Sequence, residues 1–113
     1  MENHKLVMPE HLNHYGYLFG GYLLQWVDEY AYIAATLEYP ECNFVTIGMD
    51  EVEFKKTVKQ GTILRFIVEK TKVGTTSVQF EVNVYRGRKE SIFYTHVTLV
   101  CIDQQGRKIP LPK

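Results

Sequence analysis

Residues 20–37 read GGYLLQWVDEYAYIAATL. The stretch is apolar on nearly every side, contains no proline and stops shortly before Pro40. It therefore reads as one helix from Gly20 to about Leu37, ended by the proline. At 1.5 Å per residue it is about 27 Å long, enough to cross a small domain. A helix apolar all round is enclosed by other elements rather than laid on a surface. Asp28 stands in the middle of it. A carboxylate taken out of water without a partner costs several kcal/mol, so Asp28 calls for a donor, a solvent-filled cleft or a chemical role.

The flanking sequence has a different period. Lys5 to Met8 is a short strand candidate ended by Pro9, and residues 10–19, EHLNHYGYLF, form a loop. Residues 44–56 alternate through Val45, Ile47 and Met49 and resume at Val52 and Phe54. The change of parity near Asp50 predicts a β-bulge. Residues 61–73 alternate through Leu64, Phe66 and Val68, and residues 76–85 through Val78, Phe80, Val82 and Val84. Gly74-Thr75 makes the turn between them, and Gly87 marks the next. Residues 91–102 are β-prone throughout, as suits an interior strand. Short connections imply an antiparallel meander. The class is α+β: an antiparallel sheet of five to six strands wrapped around one long central helix, one domain over residues 1–113. Such a sheet leaves edge strands, and pairing across an edge predicts a homodimer.

Thirteen basic residues balance thirteen acidic ones, which argues against a nucleic-acid partner. Eight tyrosines and six phenylalanines point to large, partly polar contact surfaces, a subunit interface or a lined pocket. Cys42 and Cys101 have no metal or redox-motif spacing, and the N-terminus has no apolar signal core. The expected setting is cytoplasmic, without a membrane span, since the Asp28-Glu29 pair is costly in lipid. His11 and His14 have a metal-like spacing but no third ligand, so no metal is expected. His96 falls in a strand and reads as a packed or half-exposed imidazole.

The start of the helix carries the chemistry. A helix N-terminus presents free N–H groups and a partial positive charge. Glycine at Gly20 and Gly21 lets a ligand approach that backbone, or lets the helix pack closely on a sheet. A carbonyl oxygen docked there is polarised, and charge developing on it is stabilised. Gly21 and Asp28 lie on one stripe about 10 Å apart, too far to act on one atom. That spacing suggests that a second copy completes the set. Asn13, in LNHYG, either caps a turn or holds a water. Glu29 lies about 100° around the helix from Asp28 and reads as facing the edge of the wrap or solvent.

The stretch PEHLNHYGYLFGGYLLQWVDEYAYIAA, residues 9–35, resembles the signature of the hotdog-fold acyl-CoA thioesterases, of the bacterial cytoplasmic (YciA) type. Pro9, Asn13, Gly16, Phe19, Gly20, Gly21 and Asp28 all fall on its positions. Residues 44–66, 72–86 and 101–112 are similar to later strands and tail of that family. The resemblance implies the hotdog fold and hydrolysis of acyl-CoA to free acid and CoA. It implies active sites at the interface of a homodimer, with further assembly to tetramers or hexamers. Asp28 would be general base or nucleophile, and Asn13 of the other subunit would place water or substrate. The Gly20–Gly21 backbone would polarise the carbonyl. No cofactor is implied beyond the CoA of the substrate. Candidate CoA contacts are Lys56, the Gly74–Thr75–Thr76–Ser77 turn, Arg86, Arg88 and Arg107. Rings at Phe19, Tyr22 and Trp26 would wall the acyl pocket. His11 departs from the family's acidic residue, and His14 from its small one. The alternatives are a hotdog enoyl-CoA hydratase or dehydratase, for which no Asp-x4-His motif is present, and a non-catalytic acyl-CoA-binding protein.

Overall fold

A computed structural model describes residues 1–112 of the chain. Strand β1 (Glu2–Leu6) leads through a 3-10 turn at Pro9–His11 into helix α1 (Gly20–Glu38). Strands β2 (Asn43–Phe54), β3 (Ile63–Val73), β4 (Ser77–Arg86) and β5 (Glu90–Ile102) follow. All five strands form one antiparallel sheet in the order β1-β3-β4-β5-β2. The sheet and its single long helix match the expected architecture. β1 starts earlier than the apolar run Lys5–Met8 suggests, because the Met1 amine and carbonyl are already paired with Val68.

The meander holds only for β3, β4 and β5. β2 pairs with β5 at the far edge, not with β3. The connection from Lys55 to Thr62 is a crossover and not a turn. Val58 within it is buried, its carbonyl accepts the Leu18 N–H at 2.7 Å, and Tyr17 bridges to Lys59. The β2 register slips between Thr46 and Gly48 and again between Asp50 and Glu53, where Glu51 takes φ 53°. The bulge expected near Asp50 is present, but the slip at Ile47 reverses the inner face. Phe44 is buried, Thr46 and Met49 are partly so, and Val45 and Ile47 are exposed.

Helix α1 lies across β2 to β5. Leu23, Trp26, Val27, Ala31, Ala34 and Ala35 form its buried face. The alanines keep that face thin, so the helix closes on the Phe66, Phe80, Val82 and Leu99 side of the core. The enclosure expected from the sequence is only half supplied: Leu37 is 70% exposed, and Tyr32 and Ile33 are also open. Single large apolar residues on a surface are ordinary, and these three point in different directions around the helix, Leu37 towards Val68 and Phe80. No described helix is long and apolar enough to cross a membrane.

Phe93 on β5 is fully buried, with its ring 4.9 Å from that of Phe54. Truncation to alanine leaves a cavity there. Phe93→Ala is expected to lower stability by about 3–5 kcal/mol, read as a fall in the urea midpoint at unchanged slope.

Candidate active site

The loop before α1 is built by Asn13. Its side-chain Oδ1 accepts the N–H groups of Tyr15 (2.9 Å) and Tyr17 (3.1 Å), and its own N–H donates to the Tyr17 carbonyl at 2.7 Å. Gly16 takes φ 87° at the tip, a conformation that favours glycine. The turn-capping role and a substrate-facing role are thus not exclusive: Oδ1 is spent on the loop, and the Nδ2 amide is the half left to donate.

The helix opens on Phe19, whose carbonyl accepts from Tyr22 and Leu23. No side chain caps it. Among the described residues the Gly20 and Gly21 N–H groups have no backbone acceptor, so they are available as a dipole-assisted donor pair. Both glycines are under close cover. A Cβ at Gly20 would come within 3.3 Å of the Phe54 ring, and one at Gly21 within 2.7 Å of the Phe19 ring. A side chain at either position would therefore disturb a ring beside the free donors.

Asn13 and Gly20 share a cavity of about 580 Å³. Leu18, Leu23, Val58 and Phe54 give it an apolar interior, and Tyr15, Lys55 and Lys56 lie at its polar side. Asp28 does not line it. The carboxylate is half-buried two turns further along the helix, and its Oδ1 accepts the Thr46 hydroxyl at 2.5 Å. This places Asp28 beside the β2 edge, the unpaired side of the sheet, near exposed Val45 and Ile47. Glu29, next to it in sequence, is exposed. The structure thus brings Asn13 and Gly20 together on one cavity and leaves Asp28 apart, as the spacing requires.

The remaining candidates are scattered. Phe19 is exposed at the helix start, with its ring 6.3 Å from that of Tyr22. Trp26 is not a pocket wall: it is buried between His11 (4.8 Å), Phe66 (6.5 Å) and the Lys5 ammonium. A large indole on the sheet-facing side of the helix is claimed by the core. The Gly74–Ser77 turn closes the β3–β4 hairpin at the end where Val73 pairs with Val78, whereas Phe54 pairs with Phe93 towards the other end of the sheet. Within one chain that turn is remote from Gly20. Arg88 lends its carbonyl to Arg65, and Arg107 lies near Asp103.

Lys56 and Arg86 converge on Glu90. Lys56 Nζ donates to Oε2 at 2.9 Å, while Arg86 donates through Nε (2.7 Å) and Nη2 (2.8 Å). The Arg86 guanidinium, then Lys56, hold the Glu90 carboxyl down at about 2 from its usual 4.5. A depressed carboxyl stabilises the fold above the unfolded value, and that contribution fades as pH falls through 4.5 towards 2. Glu90→Gln is expected to flatten the fall in stability across that window, measured by denaturant titration at a series of pH values.

Among the described residues no three His, Cys, Asp or Glu side chains converge as metal ligands. His11 accepts the Met8 N–H, and His14 stacks on Tyr15. Cys42 and Cys101 are buried free thiols, and burial pushes Cys42 up to about 12. Sequence reading missed Thr46, which the alternation through Val45 and Ile47 turns outward, and Phe54, whose place over Gly20 depends on the crossover.

The model of the Thioesterase superfamily matches residues 15–93, and the chain belongs to that superfamily. It is 31% identical over 112 residues to an uncharacterized acyl-CoA thioester hydrolase of Bacillus subtilis, covering 95% of this chain and 64% of that one. The chain therefore spans somewhat less than two thirds of the curated relatives first matched. Its structure is similar to a hexameric hotdog fold thioesterase of Campylobacter jejuni, with TM-score 0.86, 33% identity, and 97% and 88% of the two chains covered. It is also similar to an acyl-CoA hydrolase of Staphylococcus aureus solved with butyryl coenzyme A, with TM-score 0.89, 27% identity, and 99% and 71% covered. That hydrolase was also solved with alanine replacing an asparagine and, separately, an aspartate. The fold is the hotdog fold.

Proposed function

We propose that the chain hydrolyses acyl-CoA thioesters in a site formed by two copies of itself. The observation that carries this is the division of the machinery. The free donor at Gly20 shares a cavity with Asn13, with the Gly21 N–H next to it in the helix start, while the helix's half-buried carboxylate stands at the uncovered β2 edge. Pairing β2 with the β2 of a second copy, antiparallel and two-fold, covers exposed Val45, Ile47 and Tyr32. It sets one copy's Asp28 towards the other copy's Gly20. The spacing supports the pair: the asparagine and aspartate replaced in the Staphylococcus aureus enzyme stand fifteen positions apart, as Asn13 and Asp28 do.

The chemistry follows from these groups. The thioester oxygen docks on the Gly20–Gly21 N–H groups, which stabilise the negative charge of the tetrahedral intermediate. The Thr46 hydroxyl fixes one Asp28 oxygen, leaving the other to take a proton from water as the water oxygen bonds to the carbonyl carbon. The C–S bond then breaks, and the thiolate leaves with the proton returned from Asp28. Direct attack by Asp28, with a mixed anhydride cleaved by water, uses the same placement. The reaction needs no metal or organic cofactor.

Lys56, Arg86 and the Gly74–Ser77 turn are assigned to the CoA portion, with Phe19 at the site mouth. Lys56 lies on the cavity. The turn contributes from the partner, because antiparallel pairing of the β2 edges brings the far end of one sheet beside the near end of the other. The dimer is the working unit, and the hexameric neighbours suggest association of such dimers. Two buried free thiols suit the reducing cytoplasm.

Thiol release over a panel of acyl-CoAs tests the reading: free thiol and free acid should appear in equal amounts. Loss of the crotonyl-CoA chromophore without thiol would indicate a hydratase instead. Asn13→Asp keeps the Oδ1 acceptor that holds the loop but removes the Nδ2 donor. It is expected to lower kcat by about one to two orders of magnitude with unchanged thermal unfolding. Full turnover by Asn13→Asp would reduce Asn13 to a loop cap.

A further inference from the structure

Phe54 is the last residue of β2 and lies on the helix side of the sheet, paired with Phe93. Its ring is wedged. It packs edge-to-face with Phe93 at 4.9 Å between centroids, and its rim comes within 3.3 Å of where a Gly20 side chain would begin. Yet 53% of it is exposed. The neighbouring cavity walls are well held. Leu23 and Val58 are buried, and the Leu18 N–H to Val58 carbonyl bond ties the loop before α1 to the crossover.

We infer that Phe54 is the end wall of the acyl-chain pocket and sets the length of chain this protein accepts. The inference rests on the thioesterase reading, since it takes the carbonyl to dock on Gly20. A carbonyl held there has two arms. The polar arm leaves past Tyr15 and Lys56. The apolar arm has only the surface of Leu18, Leu23, Val58 and Phe54 to enter. Of these, the Phe54 ring stands closest to Gly20 and alone is exposed, Leu18 being half-buried and Leu23 and Val58 buried. Leu23 and Val58 belong to the core and cannot change size without cost to the fold. The bare Cα of Gly20 then has a second purpose: it leaves room for the ring that limits the pocket.

Phe54→Ala and Phe54→Trp move the wall in opposite directions. Each is made in the native background, for kcat/KM on butyryl-CoA and decanoyl-CoA, and in an Asp28→Asn background, for Kd of the same two compounds by calorimetry. The decanoyl-to-butyryl preference is expected to rise about tenfold with alanine and fall about tenfold with tryptophan, in both measurements. Sedimentation should show the same oligomer as the native chain. A ratio that moves less than about twofold in either direction, or an equal loss on both substrates, overturns the inference. So does dissociation into monomers, which would make Phe54 an interface residue. The two readings fail separately. Absence of thiol release with the expected shift in Kd would keep the pocket and sink the hydrolase.

Discussion

Asp28→Asn is expected to lower thiol release from acyl-CoA by about a thousandfold while leaving the fold unchanged. The substitution is close to isosteric. Asparagine still offers an oxygen to the Thr46 hydroxyl that the carboxylate accepts at 2.5 Å, so the hydrogen bond between helix and strand survives. What is lost is the capacity to take a proton from water or to attack the thioester carbon. The free Gly20 and Gly21 donors remain, so substrate binding should persist and the loss should fall on kcat and not on KM. Thermal unfolding within a degree or two of the native chain, with residual activity near background, is the expected pair of results. Native turnover in Asp28→Asn would remove the carboxylate from the mechanism.

Ile47→Lys is expected to separate the dimer and abolish activity with it. Ile47 is the residue passed over in the first slip of the β2 register and is 54% exposed in the single chain, so lysine there costs the isolated fold little. In a two-fold interface the same substitution occurs twice and sets two unpaired ammonium groups into the contact. Dimerisation should weaken by at least about a hundredfold. Analytical ultracentrifugation should then show a folded monomer, and the thiol assay no turnover at concentrations where the native chain is dimeric. A folded, fully active Ile47→Lys monomer would place a complete site within one chain.

Different parts of the molecule were legible in the sequence to different degrees. The helix was legible because its composition and Pro40 are local signals, and Gly20–Glu38 lies within a residue of the expected bounds. The hairpins at Gly74 and Gly87 were legible for the same reason, since turn chemistry sits where the turn is. The partner of β2 was not. Its pairing with β5 depends on a crossover held by buried Val58 and by backbone bonds to the loop before the helix. No residue within β2 states that. Two register slips in one strand also defeat a count by twos, which is why Val45 and Ile47 were assigned inward and Thr46 was overlooked. At the site, Asp28 and the glycine pair stood out because each breaks a local rule, a charge among apolar residues and helix-weak residues at a helix start. Phe54 breaks no such rule, as an aromatic ending a strand is unremarkable until the helix end is seen beneath it.

The central claim is that Asn13 and the Gly20–Gly21 donors of one copy act with Asp28 of another. Mixing denatured Asp28→Asn and Asn13→Asp chains in equal amounts and refolding them together tests it most directly. Hybrid dimers then hold one site with both substitutions and one with neither. Thiol release by the mixture should rise to about a quarter of the native rate, well above the mean of the two parents. Activity no higher than that mean, with hybrids shown to have formed, would contradict the shared site.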